Sequence, residues 1–318
     1  MSRVEHLQEL HGLPAFDFPV PGAQQELPEA GAVAWRLAVD PYRGGSDEEF
    51  SDLWGRFLDS VDPAGVRAIV VGQWDEPYDN DSGVIVQLLV DARERLTGLQ
   101  AVFIGDLEME EAEISWIEQS DVTPVLDAYP LLEEFGVRGG TALRFPAIRH
   151  KRLRTLRFEA GGLPGEVVRG VAASELPALE HLDMWLGVEE YGGDATVSDL
   201  APILAGGQFP ALRHLGLRNS EIQDEIATAV AAAPVVAQLT SLDLSLGVLS
   251  DEGVTALLGG QPLTHLDSLD LHHNFVTEPV AQRIRTALEP SGVEVDLSET
   301  GDEWEDDGVV HRFTAVAE

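Results

Sequence analysis

Apolar residues recur along this chain in one frame. The nine residues Leu266 to Asn274 (LDSLDLHHN) put leucine at their first, fourth and sixth positions and asparagine at their ninth. The same frame fits Leu239/Leu242/Leu244, Leu212/Leu215/Leu217, Leu179/Leu182/Met184 and Leu153/Leu156/Phe158. The first positions, 153, 179, 212, 239 and 266, lie 26, 33, 27 and 27 residues apart. That is close to the spacing of about 20 to 29 residues at which strand-plus-helix units stack, with one longer step. Weaker copies stand upstream at Ala32/Trp35/Leu37, Val66/Ile69/Val71 and Leu99/Val102/Ile104. The 54-residue gap from 99 to 153 is twice 27, so a further copy, Leu132/Phe135/Val137, is predicted inside it; Gly292/Val295/Leu297 follows Leu266 by 26 residues. Stacked units of this kind share one continuous core and act as one elongated domain.

Between the frames, apolar residues recur three and four apart, as in Phe50, Leu53, Trp54, Phe57 and Leu58, which predicts helices. They fall at 47–60, 82–96, 110–128 with a break near Pro124, 165–175, 197–205, 221–232, 251–258 and 278–288. Ser250 and Thr277 are N-cap types followed by acids in the first turn. Residues 1–31, rich in Pro, Gly and Glu, read as an N-terminal cap, and 32–300 as the repeat array. Residues 301–318 read as a C-terminal cap or a flexible acidic tail: the acidic run Asp302 to Asp307 surrounds Trp304, and Val309 to Val316 alternates.

The five strong copies, LDLHHN and LDLSLG among them, resemble those of bacterial leucine-rich-repeat proteins, nearest in repeat length and helix content to the ribonuclease-inhibitor-like class. That resemblance implies an α/β solenoid of about 8 to 10 repeats, a right-handed horseshoe with parallel strands on its concave face and helices on its convex face. VVGQWDEPYDNDS (70–82), ISWIEQSDVTP (114–124) and VRGG (137–140) are similar to segments of an uncharacterised bacterial family associated with gene neighbourhoods encoding radical-SAM and ATP-grasp proteins. This implies a partner in a modification pathway and supplies no catalytic residue.

Side chains alternate along a strand, so with positions 4 and 6 in the core, positions 3, 5 and 7 point out of the sheet's other face. Position 5 reads Val70, Phe103, Gly136, Arg157, Asp183, Gly216, Asp243, Asp270, Asp296; position 7 reads Gly72, Gly105, Arg138, Glu159, Trp185, Arg218, Ser245, His272, Ser298; position 3 adds His181 and His214. The expected face is small and apolar at its N-terminal third, with Phe103 exposed, and acidic at its C-terminal third. Asp243, Asp270 and Asp296 would stand about 4.8 Å apart, repelling by on the order of 1 kcal/mol or more per pair. Such a column invites a cation or a basic side chain, although aspartate at position 5 is also common in these repeats. Trp185, beside Arg218 and near His214, has the make-up of an interface hot spot, or packs under the loop 189–194.

Charge sharpens the picture. The 318 residues carry 56 acidic and 20 basic side chains, net −36, with Lys151 the only lysine. Such a surface repels nucleic acid and anionic membrane and favours a basic partner; a genome-wide acidic bias would produce the same balance. With no cysteine, disulfides, thiolate metal sites and cysteine nucleophiles are excluded. No signal-peptide-like or membrane-spanning apolar run is present, so a cytoplasmic protein is expected. Against the global charge, Arg144, Arg149, His150, Lys151, Arg152, Arg154 and Arg157 cluster; internal pairing with the acids of 106–121 is favoured over an anion site.

Ser245, Asp270 and His272 superficially offer a nucleophile, an acid and a base, but no G-x-S-x-G turn accompanies them. His272 with the aspartates suits a divalent metal, yet His265, His272 and His273 lack a ligand spacing. The reading is therefore a non-catalytic scaffold, without metal or cofactor, binding a basic protein or peptide through Phe103, Asp183, Trp185, His214, Arg218, Asp243, Asp270, His272 and Asp296. The alternative is a metal-dependent or hydrolytic accessory enzyme using the same Asp/His patch.

Overall fold

A computed structural model of the chain describes residues 4–39, 48–306 and 309–317. Residues 1–3 of the expected cap, Asp47 at the expected helix start and Asp307 in the acidic run lie outside them.

Each of the ten frames holds a strand. A short antiparallel hairpin, β1 (Glu9–Leu10) and β2 (Leu13–Asp17), opens the sheet. Every later strand then pairs in parallel with the one before it: β3 (Ala34–Leu37), β4 (Ala68–Val71), β5 (Ala101–Ile104), β6 (Glu134–Arg138), β7 (Thr155–Glu159), β8 (His181–Gly187), β9 (His214–Ser220), β10 (Ser241–Asp243), β11 (Ser268–Asp270) and β12 (Glu294–Asp296). Parallel neighbours need a crossover. It is supplied by α1 (Phe50–Ser60), α2 (Gly83–Asp91), α3 (Thr123–Ala128), α4 (Gly165–Ala172), α5 (Val197–Leu204), α6 (Gln223–Val230), α7 (Asp251–Gly259) and α8 (Glu278–Leu288).

The helix expected over 110–128 is a correction. Only a turn at Ile114–Trp116 and α3 form there. Pro124 tolerates a helix start and not an interior, and it biases the residue before it away from the helix. Asp121 Oδ1 accepts from the Thr123 N–H at 3.0 Å and hydroxyl at 2.6 Å, which sets that start. The preceding chain instead bridges Glu118 to Thr141 and Asp121 to Arg144, and the β6–β7 connection contains no helix. At the other end of the array the helix starts are tied to one another. Asp224 accepts from the N–H groups of Ser250 and Gly253, and Asp251 accepts from the N–H and hydroxyl of Thr277. Thr277 is the N-cap residue of α8, but its hydroxyl serves the previous repeat.

Position-4 residues such as Leu182 and Leu215 and position-6 residues such as Leu217 and Leu244 are fully buried in one cluster with the apolar faces of the helices. Replacing any of them by alanine costs ~2–5 kcal/mol, because the rigid neighbours only partly close the hole.

A second, smaller cluster lies on the opposite face: Leu10, Ala34, Ala68, Val70, Ala101 and Phe103, with Leu7 and Leu13 against it. Phe103, expected to be exposed, is 1% exposed. Its cover comes from residues 5–11, which fold back across β3 to β6, so β4 and β5 are buried on both faces. Polar groups fix this arm in place. Asp106, 0% exposed, takes Arg36 Nε at 2.7 Å and the Leu7 N–H at 2.9 Å; Arg138 binds Glu159 at 2.8 Å and donates to Glu5 O at 3.1 Å. His6 Nδ1 stands 3.4 Å from Asp106 Oδ2, near enough to pair charges without being aligned as a hydrogen bond.

The far end also turns back. After the hairpin β13 (Glu303–Asp306) and β14 (Val309–Arg312), residues 313–317 run across the strand ends of earlier repeats. Ala315 N–H donates to Leu246 O at 2.8 Å, and Asn219 brackets Val316, accepting from its N–H at 3.0 Å and donating to its carbonyl. Among the described residues no helix is long and apolar enough to cross a membrane.

Candidate functional site

The in-register stack sets the outward columns. Position 5 runs Val70, Phe103, Gly136, Arg157, Asp183, Gly216, Asp243, Asp270, Asp296, each residue paired with the next in the order the repeat frame predicts. Position 3 pairs His181 with His214 and then Ser241, and position 7 pairs Trp185 with Arg218. Eight of the nine candidate residues therefore lie on one face between β8 and the chain just past β12; Phe103 is the exception, enclosed by the N-terminal arm.

Arg218 is the centre of the patch. Its Nη1 lies 3.3 Å from Asp183 Oδ2, its Nε lies 3.0 Å from Asp243 Oδ2 and donates to Ser245 Oγ at 3.0 Å, and its guanidinium carbon sits 5.4 Å from the Trp185 ring centroid. The side chain spans the gap above Gly216, so one cation serves two carboxylates on strands either side of its own. The expected column Asp243, Asp270, Asp296 stands in register, and its repulsion is partly offset by neighbouring cations. Asp183 and Asp243 share Arg218, and Asp270 Oδ1 holds His272 Nδ1 at 2.7 Å. Only Asp296 is exposed.

The aspartates also have a backbone duty. Asp243, Asp270 and Asp296 each accept from the N–H two residues on, Ser245, His272 and Ser298, at 2.9, 2.9 and 2.8 Å. These Asx turns end the strands of the last three repeats. Burial pushes the Asp243 carboxyl up to about 6, with Asp270 and Asp183 adding to it and Arg218 opposing. The hydrogen bond to Asp270 raises His272 above the usual imidazole range, and the same bond holds Asp270 below the usual carboxylate range against its burial.

His181 and His214 stack face to face, centroids 3.9 Å apart and planes 5° from parallel. His214 Nδ1 meets Ser241 Oγ at 3.1 Å, and the Ser268 hydroxyl donates to the same Oγ at 2.8 Å. Burial, then the neighbouring ring, lowers His181 to about 4, and burial lowers His214 as well, so both rings are neutral at pH 7. Three buried polar atoms here have no hydrogen-bond partner: Asp183 Oδ1, Trp185 Nε1 and His214 Nε2. Among the described residues, two trios bring ligand-type atoms within 4.8 Å of one another, His181/Asp183/His214 and Asp270/His272/Asp296.

The repeat frame placed His181 on this face without marking it as part of the site. Its position beside His214, one repeat on, was the available signal. The path of the N-terminal cap across the sheet and the Asp106 network were missed; the available hint was the charge at two outward positions, Arg36 and Arg138, with Asp106 one residue past the outward Gly105. The basic cluster of 144–157 does pair internally, but with other partners than expected. Arg149 meets Glu175 at 2.9 Å, Arg154 meets Glu180 at 2.8 Å, and Arg152 and Arg157 approach Glu133 and Glu159. The acids of 106–121 are displaced as partners because in-register stacking brings the adjacent repeats alongside. His150 is buried, its Nε2 3.1 Å from Tyr129 O and its Nδ1 accepting from the Leu153 N–H.

The three segments 70–82, 114–124 and 137–140 come together at the strand ends of β4 to β6. Glu118 N–H donates to Pro77 O, the Ser82 and Ser120 hydroxyls meet at 3.0 Å inside the protein, and the Gln119 side-chain amide donates to Arg138 O. A cleft of about 280 Å³ lies beyond the ends of β8 and β9, lined by Gly187, Glu189, Asp194, Thr196 and Ser220 among others and by none of the nine candidate residues.

No protein-family model matches the chain, and no curated protein does. Among solved structures, a protein of Bacteroides fragilis superposes with a TM-score of 0.78 at 29% identity, over 88% of this chain and 76% of that one. An internalin of Listeria monocytogenes matches with a TM-score of 0.42 at 15% identity, over 85% of this chain and 62% of the internalin. The recurring frame and the long, mostly parallel sheet with its crossover helices form an α/β stack of repeats that resembles a leucine-rich-repeat solenoid.

Proposed function

We propose that the chain is a non-catalytic scaffold that binds a protein or peptide with a basic surface, through the outward face of β8 to β12. One observation carries this reading, the change in burial along the sheet. β4 and β5 are buried at every position, whereas on β11 and β12 the outward residues are half-buried and then exposed. The accessible part holds Trp185 under Arg218 and ends in Asp270, His272 and Asp296. An aromatic anchor beside unshared carboxylate oxygens suits a partner's arginine or lysine. In this reading the stack is a right-handed horseshoe and the patch lies on its concave side, where a partner meets several strands at once. A partner from a modification pathway, as the similarity of 70–82, 114–124 and 137–140 implies, belongs to the proposal as well. Against hydrolysis, Ser245 is fully buried and its hydroxyl accepts from Arg218, so it is not poised as a nucleophile.

A peptide-display selection against the full chain tests this. Arginine- or lysine-rich sequences should be enriched at low ionic strength, weakened by salt, and lost on Trp185→Ala and on Asp270→Asn/Asp296→Asn. Enrichment of neutral or acidic sequences, or equal binding by these variants, would overturn the reading.

A further inference from the structure

The stacked histidines and Asp183 form a cluster that the partner-binding reading leaves unexplained. Buried polar groups are nearly always hydrogen-bonded, since leaving one unmade costs ~1–3 kcal/mol. Here Asp183 is 5% exposed, and one of its oxygens, Oδ1, has no partner while the other is held by Arg218. On the next strand His214 Nε2 is likewise buried and unpartnered. Its other nitrogen is placed by Ser241, which Ser268 supports in turn. With the ring proton on Nδ1 and donated to Ser241, Nε2 presents a lone pair. This is how a hydrogen bond at one ring nitrogen prepares the other for a metal. His181 lies flat against that ring, and one donor atom from each of the three residues falls within 4.8 Å of the others.

The backbone keeps room for this group. At position 5, between Asp183 and Asp243, stands Gly216; a Cβ there would come within 2.7 Å of Asp183 Oδ1. A side chain at 216 would push the carboxylate from its place.

The geometry points to a divalent-metal site formed by His181, Asp183 and His214, taking an ion of the zinc class. Two imidazoles and one carboxylate match the preferences of zinc, cobalt(II) and related ions, whereas calcium and magnesium take oxygen ligands. Asp183 divides its two oxygens between the ion and Arg218. An ion shared by two parallel rings lies between their planes, so one ring turns out of the stack as it binds. The other trio is a poorer candidate. Asp270 Oδ1 is already held by the ring and N–H of His272, and Asp296 is exposed. This inference stands apart from the partner-binding reading, because metal binding is read with no partner present.

The test is calorimetric titration of zinc chloride, and visible-absorption titration of cobalt chloride, into the chelator-treated full chain. One equivalent should bind, raise the thermal midpoint, and give a cobalt spectrum with nitrogen-ligand bands. His181→Gln, Asp183→Asn and His214→Gln should each weaken binding at least about tenfold, and Gly216→Ala should weaken it by displacing Asp183. Circular dichroism of the metal-free variants separates loss of a ligand from loss of the fold, and any one folded variant of the three suffices. Absence of stoichiometric binding by the wild type would overturn the site. So would undiminished binding by the folded variants, or loss on His272→Gln with retention on His214→Gln.

Discussion

Arg218 shows how one side chain can set the state of its neighbours. It offsets Asp183 and Asp243, yet Asp243 is buried deeply enough that its carboxyl rises to about 6. The folded state therefore holds this proton more tightly than the unfolded chain, where aspartate titrates near ~3.9. The charged carboxylate is a cost carried in full above pH 6, and it is relieved as pH falls from 6 towards 4. Comparing Asp243→Asn with wild type cancels the titrating groups that do not interact with Asp243. Between about pH 7 and pH 5 the difference in unfolding free energy from urea titrations should shift in favour of wild type by roughly 1 kcal/mol. A difference that stays constant over that range would mean that Asp243 titrates as an ordinary carboxylate. Asp270 and Asp106 titrate in the opposite sense. Both are held low, so their contributions are present above the unfolded carboxylate range and are lost on acidification.

At the scale of elements, the returning tail is the less obvious contributor. Asn219 takes a left-handed backbone, φ 52°, and spends its amide on Val316 and on Ala160 O. Asn219→Gly keeps that backbone available while removing the side-chain bonds. It should cost ~1–3 kcal/mol in the full chain, as expected when buried backbone groups lose their partner. In a chain ending at Arg312 the same substitution should cost much less, since both changes remove the bonds to Val316 and only the one to Ala160 O is left to lose. Additive losses would sink the idea that Asn219 acts through the tail. The sequence suggests a cap at each end, but where each segment docks was not legible in it, for a shared reason. Strands, helices and the outward columns follow from local period and repeat spacing, so Asp183, Gly216 and Asp243 could be set side by side from their numbers alone. The cover over Phe103 comes from Leu10, more than ninety residues away, and the clasp at Asn219 from Val316, 97 residues away. No local pattern announces such contacts. Position 5 of the 99 frame looked exposed because the frame says which way a side chain points and not what lies over it.

For the whole molecule the dominant fact is the charge of −36 on 318 residues. Most of it is on the surface, where like charges repel within the range set by salt. Raising ionic strength from about 10 mM to about 150 mM shortens that range from ~30 to ~8 Å. The thermal midpoint should rise over this interval, although single exposed ion pairs such as Arg154–Glu180 weaken at the same time. A falling midpoint would mean that paired charges outweigh unpaired ones. Repeat stacks ordinarily hold together only through their nearest neighbours. This one has two longer ties, and they reach the same place. Arg138 on β6 holds Glu5 and binds Glu159 at the end of β7, while Ala317 lies against Gly161, two residues past that strand. Tension applied between residues 5 and 317 therefore enters the molecule at its middle. The arm and the tail must peel away, by breaking contacts with Arg138, Asp106, Arg36, Asn219 and Leu246, before force reaches β12 along the chain. The repeats would be extended only after both ties had parted.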